Sequence, residues 1–395
     1  MLGTELGLGL SRRGKGTDAT SLPPLTRVVH NLNAGNMGIF RNAMQGVRAG
    51  TGRCRICAVG DSTFASGSSD PSRLNSSPMK TGIKLAALGT PTSYFNFFGM
   101  TQYSVVADYE AYNSAVDMVG TWGPSGTDSL GGRNFACNGS GPLLTFTPEG
   151  AVDTFEVYYL RAGTLGSFTW AVDGGMLSAA VSQTGTNGYL KLTITSADAP
   201  TLAAPGTHNI TVYGNVGSVV INGIAAYNSQ NRAVDIFNFG YRTSTTSLWN
   251  VTANPWSPRN ALQAHAPDLT LINLGINNWR NDTPANAQFS TDLQAIINTG
   301  KLSGDVVIQV PFPSATSGVA GNFCSQVNQQ TYVDAIYALS ASNNIPLVDI
   351  AELFGSWGAA SVAGYTLDTL HPSTSGYDLI ADQYVSLLQH AEAGT

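Results

Sequence analysis

Two short motifs in this sequence carry the residue types that nucleophilic chemistry needs. Gly60-Asp61-Ser62 closes a short apolar run, and Asp368-Thr369-Leu370-His371-Pro372 lies just ahead of the last helical stretch. A serine at the carboxyl end of a buried strand stands where open α/β sheets bind ligands. An Asp three residues before a His can hold Nδ1 and leave Nε2 facing a nucleophile. Each motif also has an ordinary reading, Ser62 as a turn or cap residue and His371 as a loop histidine capping a helix. Histidine is scarce, five in the whole chain.

Two further strand ends could supply hydrogen-bond donors to a developing oxyanion. In Asn273-Leu274-Gly275-Ile276-Asn277-Asn278, an Asn amide can point at the charge and Gly275 lets the backbone come close. In Asn238-Phe239-Gly240, the Gly240 N–H is available in the same sense. Singly these read as common Asn/Gly turns. Jointly the order Ser, Gly, Asn, Asp/His supplies a nucleophile, Ser62; a base with its orienting acid, His371 and Asp368; and oxyanion donors from Ser62, Gly240 and Asn277.

The elements that must position these groups are legible as periodicity. Ile56–Val59 reads as a short buried strand, followed by Ser77-Pro78 at a helix start and Met79, Ile83, Ala86 and Ala87 at helical spacing. Val234–Phe239, Leu269–Leu274, Val306–Val310 and Pro346–Ile350 read as further buried parallel strands. Helical windows lie at 285–298, 326–342 and 375–390. Between 116 and 226 the pattern changes to short alternating runs, 155–160, 167–172, 189–194, 208–213 and 219–224, divided by Gly, Asn, Asp and Pro turns. Such spacing predicts a β-sandwich or jelly roll. The expected organisation is an arm at 1–50 with a short helix near 37–47, a discontinuous α/β domain at 51–105 and 230–395, and an inserted β-domain at 106–229 that binds carbohydrate.

At this point the chain resembles the SGNH (GDSL-like) hydrolases. Gly60-Asp61-Ser62 matches the family's Ser block, Gly240 its Gly block, Gly275-Ile276-Asn277 its Asn block, and Asp368 with His371 its last block. One departure is Asn278, where many members have Asp. The resemblance implies a flavodoxin-like doubly wound sheet and a serine esterase that needs no metal or cofactor. The insertion is similar to that of phage-tail and bacterial polysaccharide esterases. That implies an O-acetylated surface glycan as substrate, with Trp279, Asn278 and Trp249 in contact with it and Trp256 and Trp357 near by. For each tryptophan, packing in the core is the other reading. A lipid or thioester hydrolase of the same fold is the alternative, as is a glycan-binding virion protein without catalysis.

Composition narrows the classes. With 43% hydrophobic and only 11% charged residues the chain can bury large cores and is not of disordered type. A net charge of −6 offers no footprint for nucleic acid. No apolar run reaches the ~20 residues that span a bilayer. Leu2–Leu10 is short and Gly-rich, and the basic Arg12, Arg13 and Lys15 follow it. That order does not predict a cleaved signal, and the expectation is an extracellular or virion-associated protein. The arm is expected to dock to a larger assembly or lie on the body, and a homo-oligomer stays open. Cys54 and Cys57 have Cys-x-x-Cys spacing, which reads as ordinary partly buried thiols, with a metal site as the other reading.

Overall fold

The computed structural model describes residues 24–66, 72–94, 97–99, 103, 105–281, 284–316 and 324–394. Three strands precede the insertion: β1 (Val29–His30), β2 (Cys54–Gly60) and β3 (Thr92–Ser93). Within the antiparallel stretch lie β4 (Phe97–Phe98), β5 (Val116–Val119), β6 (Gly123–Ser129), β7 (Gly132–Asn138), β8 (Leu143–Phe146) and β9 (Thr154–Arg161). It continues with β10 (Ser167–Val172), β11 (Val181–Ser182), β12 (Gly188–Ile194), β13 (Ile210–Val216) and β14 (Ser218–Tyr227). The chain returns through β15 (Val234–Asn238), β16 (Leu269–Asn273), β17 (Asp305–Val310) and β18 (Leu347–Asp349).

The first sheet has the order β1-β18-β17-β16-β2-β15-β3, parallel from β3 to β18, with β1 antiparallel at the edge. Its central strands are apolar at nearly every position because both faces are covered. Cys54, Ile56 and Ala58 of β2 face one core with Met44, Leu85 and Tyr384, from the helices Gly38–Arg48, Ser77–Ala87 and Thr374–Ala393. Cys57 and Val59 face the other, with Leu293 and Ile336 from the helices Ala287–Gly300 and Gln326–Asn343. Each such Ile or Leu contributes about 1.5–3 kcal/mol by leaving water. The order β15-β2-β16-β17-β18 reverses direction between β2 and β16, and the crevice at that switch point is where such sheets place ligands. Cys54 and Cys57 are free buried thiols, and burial pushes the Cys57 thiol up to about 12.

The insertion folds as two antiparallel sheets, β11-β10-β13-β8-β5 and β12-β9-β14-β7-β6. Alternation does the work here: Leu144, Phe146, Phe168, Ile210 and Val212 of one sheet meet Phe135, Phe155, Val157, Val219 and Ile221 of the other in one core. The strand expected from His208 starts only at Ile210, because Asp173 takes His208 Nδ1 at 2.6 Å and the Asn209 N–H at 2.9 Å. Sandwich and body share a seam. Phe97 stacks on Phe237 with centroids 4.3 Å apart, while buried Glu156 accepts from Lys191, Arg55 and the Tyr158 hydroxyl.

The described part of the expected arm lies on the body. β1 extends the sheet beyond β18, and Arg48 of the helix Gly38–Arg48 grips Glu392 with two bonds, 2.7 and 3.0 Å. The amphipathic face of this helix, Phe40, Met44 and Val47, is buried against the last helix, which is why it does not hang free. Docking was expected of the arm as a whole, residues 1–50, and of these residues 1–23 lie outside the described residues.

Candidate functional site

β2 ends in Gly60, where a Cβ would stand 2.7 Å from the Phe64 ring, so only glycine lets the chain turn into the short helix Ser62–Ala65. Asp61 caps that helix, accepting the Thr63 N–H at 2.9 Å and the Thr63 hydroxyl at 2.7 Å. Thr63 Oγ1 in turn accepts from Asn273 Nδ2 at 2.7 Å, which ties the ends of β2 and β16 together. The Asp61 carboxyl is fully buried and its Oδ2 has no partner. Burial raises it to about 6, against the hydrogen bonds from Thr63 and the nearby His371.

Ser62 stands first in the helix, where backbone N–H groups lack helical acceptors. Its Oγ lies 2.8 Å from His371 Nε2, although the two residues are far apart in sequence. His371 Nδ1 meets Asp368 at 2.8 and 3.0 Å, and Asp368 Oδ1 also accepts the Leu370 and His371 N–H groups at 2.8 Å each. Burial raises the Asp368 carboxyl, but the hydrogen bonds and charge of His371, with the two backbone donors, outweigh it and hold the group at about 2. Ser62, His371 and Asp368 are therefore brought together as a hydrogen-bonded relay with an ionised acid at its end.

Asn277 sits on the short helix Ile276–Trp279, reached through Gly275 at φ 135°. One amide hydrogen goes to the Ser244 carbonyl at 3.0 Å, and Arg280 Nη1 donates to its Oδ1 at 3.3 Å. An Asn amide has two hydrogens, so one remains for a ligand. Gly240 differs from expectation. Its N–H is committed to Asn238 Oδ1 at 2.9 Å, so it is not a free oxyanion donor. The glycine is required for another reason: a Cβ there would lie 2.5 Å from Ala65 N, so Gly240 permits β15 to close against the Ser62 helix.

Two of the expected substrate contacts, Trp279 and Trp249, are also corrected. Trp279 is fully buried, edge-on to Tyr332, and offers no stacking face. Trp249, equally buried, donates Nε1 to the Ser244 hydroxyl at 3.1 Å and the Gly60 carbonyl at 3.3 Å. Asn278 bridges to Thr246, accepting its N–H at 3.3 Å and donating to its hydroxyl at 3.2 Å. Apolar bulk next to a strand end is drawn into the core, and a short Asn amide next to a helix start caps it. Three residues take positioning roles that the sequence did not assign them: Asn238, Ser244 and Trp357, the last donating its indole N–H to the Asp368 carbonyl at 3.0 Å. Only Asn238, in an Asn-x-Gly turn, carries a local sequence signal.

A second group of ligand-type atoms, from His30, Asp349 and Glu352, lies within 4.8 Å of one another. Its members are engaged already. His30 Nε2 meets Glu352 at 2.9 Å, while Asp349 accepts the Tyr337 hydroxyl at 2.8 Å and the Glu352 N–H at 2.7 Å. The cluster fastens β1 to the edge of the sheet. Among the described residues, no helix is long and apolar enough to cross a membrane.

Residues 217–379 match the model of the GDSL-like Lipase/Acylhydrolase family, a span that includes Asn277, Asp368 and His371 but not Ser62. Among solved structures, a peptidoglycan O-acetylesterase aligns with 93% of this chain and all of its own, at TM-score 0.69 and 17% identity. The YXIM protein of Bacillus subtilis covers 72% of this chain and 90% of its own at TM-score 0.36 and 16% identity. A family two carbohydrate esterase from Clostridium thermocellum covers 71% and 99% at TM-score 0.31 and 13% identity. No curated protein sequence matches the chain.

Proposed function

We propose that this chain, whose residues 217–379 match the GDSL-like Lipase/Acylhydrolase family and whose fold is that of a peptidoglycan O-acetylesterase of known structure, is an ester-bond hydrolase that removes O-acetyl groups from a polysaccharide through an acyl-enzyme on Ser62. The observation that carries the catalytic part is the 2.8 Å approach of Ser62 Oγ to His371 Nε2, with Nδ1 held by Asp368. His371 takes the Ser62 proton as Oγ attacks the ester carbonyl, and returns it to the departing sugar hydroxyl. Water, deprotonated by the same imidazole, then releases acetate. Asp368, ionised down to about pH 2, orients the ring and stabilises the imidazolium without taking its proton. The oxyanion is held by the Ser62 N–H and the free amide hydrogen of Asn277.

Support for a glycan substrate is of a different kind. The O-acetylesterase likeness extends over the insertion as well as the body, since it spans 93% of the chain. The strand orders β7-β14-β9-β12 and β8-β13-β10-β11 support reading the insertion as a jelly roll, an architecture that lectin domains use. The test is acetate release by wild type and Ser62→Ala from p-nitrophenyl acetate, O-acetylated peptidoglycan and partially O-acetylated xylan, with p-nitrophenyl palmitate for comparison. Serine-dependent release from a glycan, with little palmitate, is the expected result. Preference for palmitate, or glycan turnover that survives Ser62→Ala, would overturn it.

A further inference from the structure

The amide of Asn277 is held at both of its polar atoms. Nδ2 gives one hydrogen to the Ser244 carbonyl at 3.0 Å, and Oδ1 accepts from Arg280 Nη1 at 3.3 Å. The Ser244 side leads back to the nucleophile's strand, because the Ser244 hydroxyl donates at 3.2 Å to the carbonyl of Gly60, which ends β2. The Arg280 side is local. Arg280 follows Asn277 by about one helical turn, so the two side chains share a face of the short helix. The Arg280 backbone N–H donates to the Ile276 carbonyl at 3.1 Å, and fully buried Trp279 anchors that turn in the core.

The charge of Arg280 is otherwise unspent. Arg48, Arg53, Arg55 and Arg73 each meet a carboxylate, that of Glu392, Asp235, Glu156 and Glu149 in turn. Among the described residues Arg280 meets none, and the one bond its side chain makes is to Asn277. It is partly buried, so solvent screens it less than a fully exposed cation. A guanidinium on an amide oxygen does two things. It fixes which way the amide points: with a donor on Oδ1 and an acceptor on one Nδ2 hydrogen, a flipped amide loses both bonds. It also draws electron density toward Oδ1, which makes the remaining Nδ2 hydrogen a stronger donor.

We infer that Arg280 is a positioning residue for the oxyanion hole, acting on the reaction through Asn277 rather than by touching the substrate. This role rests on the ester-hydrolase reading above and not on its glycan part. An ester carbonyl is neutral in the bound substrate and becomes an oxyanion only as the tetrahedral intermediate forms. A strengthened donor therefore lowers the barrier more than it tightens binding, and the loss on removing Arg280 falls on kcat.

The experiment compares wild type, Arg280→Met, Asn277→Ala and the double variant on p-nitrophenyl acetate, with Tm as the check on folding. Met keeps the apolar stem of the arginine and removes its charge and donors, and Arg280→Gln serves the same contrast if the Met variant does not fold. This substrate is uncharged, so a loss on it cannot come from a guanidinium gripping a substrate anion. Arg280→Met should lower kcat about tenfold to thirtyfold with KM within about twofold, part of the 10²–10³-fold usual for a whole oxyanion donor. Introduced into Asn277→Ala, the same substitution should change kcat by less than about twofold, because the amide it acts on is gone. Equal losses in the two backgrounds overturn the inference, since Arg280 then acts on its own. An unchanged kcat on p-nitrophenyl acetate also overturns it, and a KM that rises only on O-acetylated pectin, an anionic glycan, makes Arg280 a substrate contact instead. Hydrolysis of p-nitrophenyl acetate that survives Ser62→Ala removes the hydrolase reading itself, and the role of Arg280 with it.

Discussion

Two His–Asp pairs, one in the body and one in the sandwich, show how little the pair itself decides. His371 meets Asp368 at 2.8 Å and His208 meets Asp173 at 2.6 Å, both through Nδ1. The difference is at the other nitrogen. His371 Nε2 faces a serine hydroxyl at 2.8 Å, whereas His208 Nε2 lies against the Ala204 carbonyl at 3.2 Å. The first arrangement can move a proton between reacting atoms. The second closes a turn and sets where β13 begins. What separates them is the parallel sheet, which brings the end of β2 and the last loop to one crevice.

The comparison breaks most sharply at His371. His371→Ala should lower kcat/KM on p-nitrophenyl acetate by about 10⁴-fold, the upper range for a lost general base. Asp368→Asn keeps the shape of the pair but removes the charge that favours the imidazolium, and about 10²–10⁴-fold should go in kcat with KM little changed. Asn277→Ala should cost about 10²–10³-fold in kcat, the usual loss for one oxyanion donor, while Gly240 has no comparable part through its N–H.

A fourth prediction contrasts two carboxylates of the site by pH. Asp61 is raised in the folded state, so the unfolded chain releases its proton first and stability falls as pH rises from 3.8 through about 6. The cost levels off above that range at about 3 kcal/mol. Asp368 runs the other way: lowered to about 2, its contribution is present above 3.8 and is lost as pH falls toward 2. Denaturant melts across pH 3–8 should show that Asp61→Asn removes the fall between pH 4 and 6, and an unchanged slope would refute the assignment. The smallest effect belongs to the sandwich pair. His208→Ala should leave kcat/KM within twofold and cost at most about 1 kcal/mol of stability by the same melts.

Much of this was legible in the residues, and the gaps have physical causes. Ser62, Asp368 and His371 could be placed because a buried strand followed by Gly-Asp-Ser, and an Asp three residues before a His, are local patterns with local geometry. The body's strands were readable from apolar runs, and those of the insertion from alternation. Gly240 was legible as a glycine that matters but not for what it does: Asn238, two residues back, takes its N–H, and the approach of Ala65 is a distance across the sheet. Trp279 and Trp249 stand beside the site in sequence, yet burial turned both into core.

The sequence alone determined which groups could react, since nucleophile, base and acid are fixed by residue type, and which segments are strands, since periodicity is a property of neighbours. Only the tertiary structure decided which hydrogen-bonding capacities remain unspent. Whether the Gly240 N–H or the second Asn277 hydrogen is free depends on partners from distant strands. Those partners meet only once both faces of the parallel sheet are buried.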